Sequence, residues 1–344
     1  MKNVLRVGLL ACAGVASLAF SSSALAAFTP RLEVSHTPPR VGAGGVSTVR
    51  FTVPRDDEAL FRVAIYAPQG YTASLGAAPG TQVGTVSAQA LVQEPIAGAV
   101  LPLQGRIVTD NPASHTTSPC APGLHAAVWI LVLQAAGQEL RIPLYVDPTS
   151  GAEATFSSLR MTACLSSPHI PASAGGAVFG AKLLQAVLRL QGVVNTPAQS
   201  GTFTWRAVAT PWAPPATPNI PATVQALGRI ALPANLTVSA SVVSLASRRV
   251  RISGRLTEAG SGVSGQRVRV LVNNRARANV AVRGAGRWSI TLRLPRGRHT
   301  IRAIATVAAR TSTCSSGAPL PAPCVSQTSS FFTVTSPGIR VRVR

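Results

Sequence analysis

The residues of this sequence best suited to chemistry are arginines. Arg249-Val250-Arg251-Ile252 and Arg267-Val268-Arg269-Val270 alternate guanidinium groups with β-branched side chains, and Arg340, Arg342 and Arg344 repeat the rhythm. On an extended strand successive side chains point to opposite faces. The apolar members of each run therefore turn inward, and the arginines line an outer face. A guanidinium is a planar fork of N–H donors that matches the oxygens of phosphate, sulfate and carboxylate groups. The chemistry on offer is noncovalent capture of a polyanion by Arg249, Arg251, Arg267 and Arg269, placed on one outer face.

Other candidates resolve into plainer roles. Cys120 and His125 have the same separation as Cys164 and His169. That spacing is open to a Cys2His2 metal site, but an oxidising compartment favours a disulfide, and no metal is assigned. Asp56-Asp57-Glu58 follows Pro54 and reads as a solvated turn. Asp147 and Glu153 bracket Pro148-Thr149-Ser150-Gly151, again a loop, and no carboxylate pair for glycoside chemistry stands out. Gly260 to Gly265 matches the dinucleotide-loop pattern by count, yet a helix must follow such a loop; here a strand follows, so it reads as a turn. Trp129, within an apolar run, belongs to a core. Trp205 and Trp212 pack a domain boundary, with stacking on sugar rings as the alternative. The sequence thus reads as non-enzymatic, with no catalytic residue and no cofactor. The competing class is a secreted metal-binding protein or hydrolase with its site in the N-terminal domain.

Compartment follows from the N-terminus and the cysteines. Lys2 and Arg6 precede an apolar run from Val7 to Phe20, and Ala24-Leu25-Ala26 supplies a small-x-small cleavage site, so residues 1–26 read as a signal peptide. The run is shorter than the roughly 20 residues a membrane span requires. Cleavage leaves Cys120, Cys164, Cys314 and Cys324, and proximity pairs Cys120 with Cys164 and Cys314 with Cys324. The expected product is secreted or held at the cell envelope, with no transmembrane segment after cleavage.

These residues must be positioned by strands. Short β-branched runs separated by Gly and Pro clusters dominate the 344 residues, the signature of an all-β chain. Ala181–Val194 fits either an amphipathic helix or a strand alternating Leu184, Ala186, Leu188 and Leu190; its strand neighbours favour the strand. Residues 211–221 hold five prolines, which suggests an extended linker over 211–234. The fold expected is two β-sandwich domains, 27–210 and 235–344.

Charge separates the two. The chain has 32 Lys+Arg against 10 Asp+Glu, a net +22, and from Asn235 onward eighteen arginines face a single acid, Glu258. A GC-rich genome accounts for arginine over lysine but leaves that shortage of acids unexplained. The partner this implies is an anionic cell-wall polymer or acidic glycan, not a specific nucleic acid, since the signal peptide removes the chain from cytoplasmic nucleic acid.

A family resemblance enters at the same residues. Ile252-Ser253-Gly254-Arg255-Leu256, the run Gly262 to Val270, Gly286-Arg287-Trp288-Ser289-Ile290 and the stretch Leu294 to Ile301 resemble a bacterial extracellular Ig-like module. The pattern is close to carboxypeptidase-regulatory or transthyretin-like repeats. The resemblance implies an Ig-like sandwich over 235–344 acting as a spacer or binding module, with nothing catalytic. Val41 to Val53 followed by Tyr66-Ala67-Pro68-Gln69-Gly70 is similar to copper-associated secreted domains. Their mature chains begin with a metal-binding histidine, whereas this one would begin at Ala27 or Phe28, so no copper site carries over.

Overall fold

Among the described residues of the computed structural model, 28–42, 44–94, 96–135, 137–315, 320–322 and 324–344, no helical element exceeds four residues. The signal peptide expected over 1–26 lies outside them. Nineteen strands of five or more residues make the chain all-β. Eleven come first: β1 (Arg31–Thr37), β2 (Val46–Thr52), β3 (Leu60–Pro68), β4 (Gln82–Val92), β5 (Ala99–Asp110), β6 (Ala127–Ala135), β7 (Gln138–Pro148), β8 (Ser157–Cys164), β9 (Lys182–Gln191), β10 (Gly201–Ala213) and β11 (Val224–Leu232). Eight follow: β12 (Ser239–Ser244), β13 (Arg249–Glu258), β14 (Arg267–Val272), β15 (Arg275–Ala281), β16 (Arg287–Arg293), β17 (Gly297–Cys314), β18 (Cys324–Thr335) and β19 (Ile339–Val343).

The first eleven form one antiparallel path, β1–β2–β9–β4–β5–β6–β7–β8–β3–β10–β11. It curls until β11 returns against β1, so closely that a Cβ added at Gly228 would stand 3.0 Å from the Leu32 carbonyl oxygen. Inside lies the first core, with Trp129, Trp205, Tyr71, Ile107, Met161 and Leu190 fully buried. Tyr71 meets Trp205 and Phe203 edge-on at 5.1 and 5.9 Å between ring centroids. The contested segment is strand β9. It is laddered to β2 on one side and β4 on the other, and a helix there would leave both neighbouring edges unpaired.

Residues 211–234 correct the linker expectation. Pro211 lies near the end of β10, opposite Leu60 of β3, and the other four prolines occupy the connection of a hairpin, beyond which β11 pairs back along β10 from Gly201↔Leu232 to Ala209↔Val224. Ala226, Ile230 and Leu232 alternate into the first core. Proline marks the turn here because it cannot donate to a central ladder.

A second core is closed from two sides. One sheet orders β12–β13–β16; the other places β14 between β15 and β17, with β18 and β19 on the far edge of β17. Val250, Ile252, Leu256 and Trp288 enter from the first, and Val268, Val270, Ile301, Ala303 and Ala305 from the second. Gly254 makes room for Trp288: a Cβ there would stand 2.0 Å from the Thr237 oxygen and 2.6 Å from the indole.

β17 is 18 residues long and overruns the second core. Its end pairs in parallel with β10, Gly201↔Arg310 and Thr202↔Thr311, and Thr204 bonds to Ser312 through both its N–H (3.2 Å) and its hydroxyl (2.9 Å). The disulfide Cys314–Cys324 closes the β17–β18 hairpin at this point, and Cys120–Cys164 staples the segment before β6 to the end of β8.

The second of these bridges spans 44 positions, for which the chain-entropy model gives about 4 kcal/mol. Replacing both Cys120 and Cys164 by Ser should lower the unfolding free energy by about that amount in equilibrium denaturation; an unchanged midpoint would refute the assignment.

Candidate functional site

The four arginines read from the sequence do not share a face. Arg249 and Arg251 lie on β13, Arg267 and Arg269 on β14, all exposed, and the two strands belong to different sheets. Their inward neighbours, Val250 and Ile252 against Val268 and Val270, reach one core from opposite sides. The arginines therefore stand on two opposed outer faces. Alternation within a strand tells which side chains point out; it does not tell which sheet a strand joins.

On the β12–β13–β16 face the ladder sets Arg249 opposite Arg293 and Arg255 opposite Arg287, while Arg251 lies between Ser241 and Thr291. Like charges directly opposite are unfavourable. Yet among the described residues no ion pair involves an arginine from Asn235 onward. Arg251, Arg255, Arg283 and Arg287, with the hydroxyls of Thr237, Ser239, Ser253 and Ser289, line a concavity of about 670 Å³. Arg255 is aimed by two bonds to the Ala285 carbonyl, from Nε (3.4 Å) and a terminal nitrogen (3.2 Å). The one acid of this region is committed elsewhere: Glu258 accepts from the Ser200 N–H (3.1 Å) and hydroxyl at the junction with β10. Arg255 and Arg287 have the same parity as Arg251 across the ladder, a signal present in the sequence once the pairing is known. Arg283, in a turn, gave none.

The opposite face carries Arg267 and Arg269, with Arg298 opposite Arg342 on the neighbouring strands. A second basin of about 500 Å³ is lined by Asn273, Asn274, Thr300, Arg302, Gly338 and Arg340. Asn273 and Asn274 both have positive φ, 51° and 63°, forming the tight hairpin turn for which Asn is favoured.

The N-terminal acids are already engaged. Arg160 joins Asp147 (3.5 Å) and Glu153 (3.0 Å), the two loop acids of the sequence reading. Tyr66 donates to Glu153 (2.8 Å), and His125 Nδ1 bonds Asp147 (2.9 Å) while its Nε2 meets the Ala121 carbonyl (3.0 Å). Both His125 nitrogens are thus occupied, Cys120 and Cys164 are bonded to each other, and His169 is exposed. The equal Cys–His spacings bring no ligand set together. Among the described residues no group of three His, Cys, Asp or Glu side chains is placed to hold a metal ion. Asp57 accepts from the Thr29 N–H (2.5 Å), and the Lys182 ammonium bonds the carbonyls of Arg55 (2.8 Å) and Asp57, so the acid turn anchors the residues that lead into β1. Trp205 is in the core. Trp212 packs edge-on against Phe61 at 4.6 Å and donates to the Leu165 carbonyl (3.1 Å), so neither ring is free to stack on a sugar.

One cation is buried without an acid. Arg206 is 1% exposed, lies 4.0 Å from the Phe156 ring centroid and donates to Cys324 Sγ. Burial pushes its guanidinium down to about 10, leaving it charged at neutral pH. No protein-family model matches the chain, and no curated protein is significantly similar to it.

Burial pushes the Tyr71 phenol up to about 12, and burial with the Glu153 hydrogen bond does the same for Tyr66. A phenol in the unfolded chain ionises near 10, so between that pH and about 12 the unfolded chain loses protons that the fold retains. The contribution of these two tyrosines is complete below pH 10 and is lost as pH rises toward 12. Tyrosinate absorbance at pH ~11 should therefore increase by two residues when denaturant is added; no increase would contradict the buried placement.

Proposed function

We propose that the chain is an exported, non-enzymatic binding or structural protein of the cell envelope or its surroundings. In this reading it comprises two β-sandwich domains, the second Ig-like, and holds an anionic wall polymer or acidic glycan on the arginine faces of the second. The observation that carries the reading is the set of solvent-facing guanidinium groups with no carboxylate partner. Unpaired guanidinium groups aligned in rows favour a ligand whose own charges repeat. A concavity lined by four arginines offers charge-assisted donors around a single acidic group of such a polymer. Two disulfides in the described structure fit an oxidising compartment.

The test is retention of the mature chain on immobilised heparin and on purified cell wall across a salt series. Binding should weaken steeply, log K falling linearly with log salt. Replacing Arg251, Arg255 and Arg287 together by Ser should weaken it about tenfold or more at low salt, since each lost contact also removes close to one from the slope. A control triple, Arg31, Arg50 and Arg106 to Ser, removes equal charge from the first eleven strands and should change little. No retention at low ionic strength, or equal loss in the two triples, would sink the reading.

A further inference from the structure

A second concavity, in the N-terminal half, is mostly apolar, with Arg141 the one cationic side chain of its lining. A cavity of about 290 Å³ opens between β4, β5, β7 and the chain leading into β9. It exists because alanine stands at 88 and 90, the two inward positions of β4 that the ladder sets opposite Leu103 and Leu101. Interiors are otherwise filled to crystal-like density, so two small residues in register across from two leucines leave an opening. Leu140, Ile142, Leu165 and Leu183 continue the wall and remain half-buried. That is an unusual concentration of incompletely covered aliphatic side chains around one void.

The covering segment is held in a costly conformation. Phe179, which lines the cavity, has φ 58°, a left-handed backbone that a bulky residue adopts only when its surroundings impose it. Two N–H groups, of Gln93 (2.9 Å) and Glu94 (3.3 Å), converge on its carbonyl, and Ala177 is tied to Ser167 (2.7 Å). Val178, beside it, is 39% exposed at the mouth. Backbone strain of this kind gathers at ligand clamps.

We infer that this cavity takes a single unbranched acyl chain of about ten carbons. The length follows from the volume, which is roughly ten times the ~30 Å³ that a water molecule, similar in size to a methylene, occupies in the liquid. The polar end would sit in the mouth, where Gln138, Arg141 and Ser166 stand. Arg141 is exposed and already paired with Glu139 at 3.2 Å, which fits a small polar head, not a deeply buried anion. Mostly apolar walls with a few polar groups at one end are the usual composition of a small-molecule site.

The mature chain should bind decanoate or a decanoyl lysolipid at one per molecule by titration calorimetry; binding of both would assign recognition to the chain, and of one alone to that head. Ala90→Phe, which fills the void, should weaken binding at least tenfold without lowering Tm. Val178→Asp, at the exposed mouth, tests the site should the first variant fold poorly, and should weaken binding similarly. No saturable uptake of either ligand, or uptake unchanged by a folded Ala90→Phe or Val178→Asp, would overturn the inference.

Discussion

The whole structure depends on the two-residue alternation of side chains along strands. With no helix longer than four residues among those described, each strand sends alternate rows to opposite faces; β3 and β10 bury nearly all of both rows, while the strands of the second core bury one and expose the other. In β13 and β14 every arginine is exposed and its valine, isoleucine or leucine neighbours of the opposite parity are buried. In β4 it places Ala88 and Ala90 on one inward row, and their small size leaves the cavity. The cationic faces and the apolar opening are two results of one periodicity, differing only in what the sequence writes on each row.

The two halves are joined by more than a chain crossing. β17 serves both, contributing its middle to the second core and its end to a parallel pairing with β10. At that seam Glu258 reaches Ser200, and Arg206 lies beneath Cys324. A buried guanidinium with no acid would ordinarily carry a heavy desolvation cost. The Phe156 face offsets part of it through cation–π attraction. Glu258 is thus drawn away from the arginine faces by its bond to Ser200, across the seam between the two cores. The electrostatics of the outer surfaces are set partly by the way the halves meet.

Much of this was legible in the sequence. The all-β class, the alternation at 249–252 and 267–270, both cysteine pairings and the strand within 181–194 follow from periodicity, proximity and neighbours. What failed to follow was long-range. Four arginines of identical local pattern fall on two faces because sheet membership is decided by pairing partners, and β13 and β14 choose different ones. The prolines of 211–221 look like a linker, but Ala226, Ile230 and Leu232 beyond them supply an apolar row that the first core needs. The ion-pair chain from His125 to Tyr66 draws on residues up to 87 positions apart, and no local spacing encodes it.

The placement of the arginines also bears on what kind of anion suits them. Guanidinium groups paired across a ladder, as in Arg249↔Arg293, Arg255↔Arg287 and Arg298↔Arg342, repel one another. Salt screens this repulsion over a Debye length of about 8 Å, yet neighbours on adjacent strands, ~5 Å apart, lie within that range. A monovalent counter-ion relieves one group at a time and dissociates freely. A polymer relieves several at once and releases their counter-ions together, so the gain grows with the number of charges aligned. Two opposed faces add a geometric consequence. Under the proposed function, polymer strands held on the two faces would be kept apart by the thickness of two packed sheets, which lie about 10 Å from each other. If the proposed polyanion binding holds, arginines on two opposed faces would let one molecule bridge two strands of polymer, where arginines gathered on one face would only coat a single one.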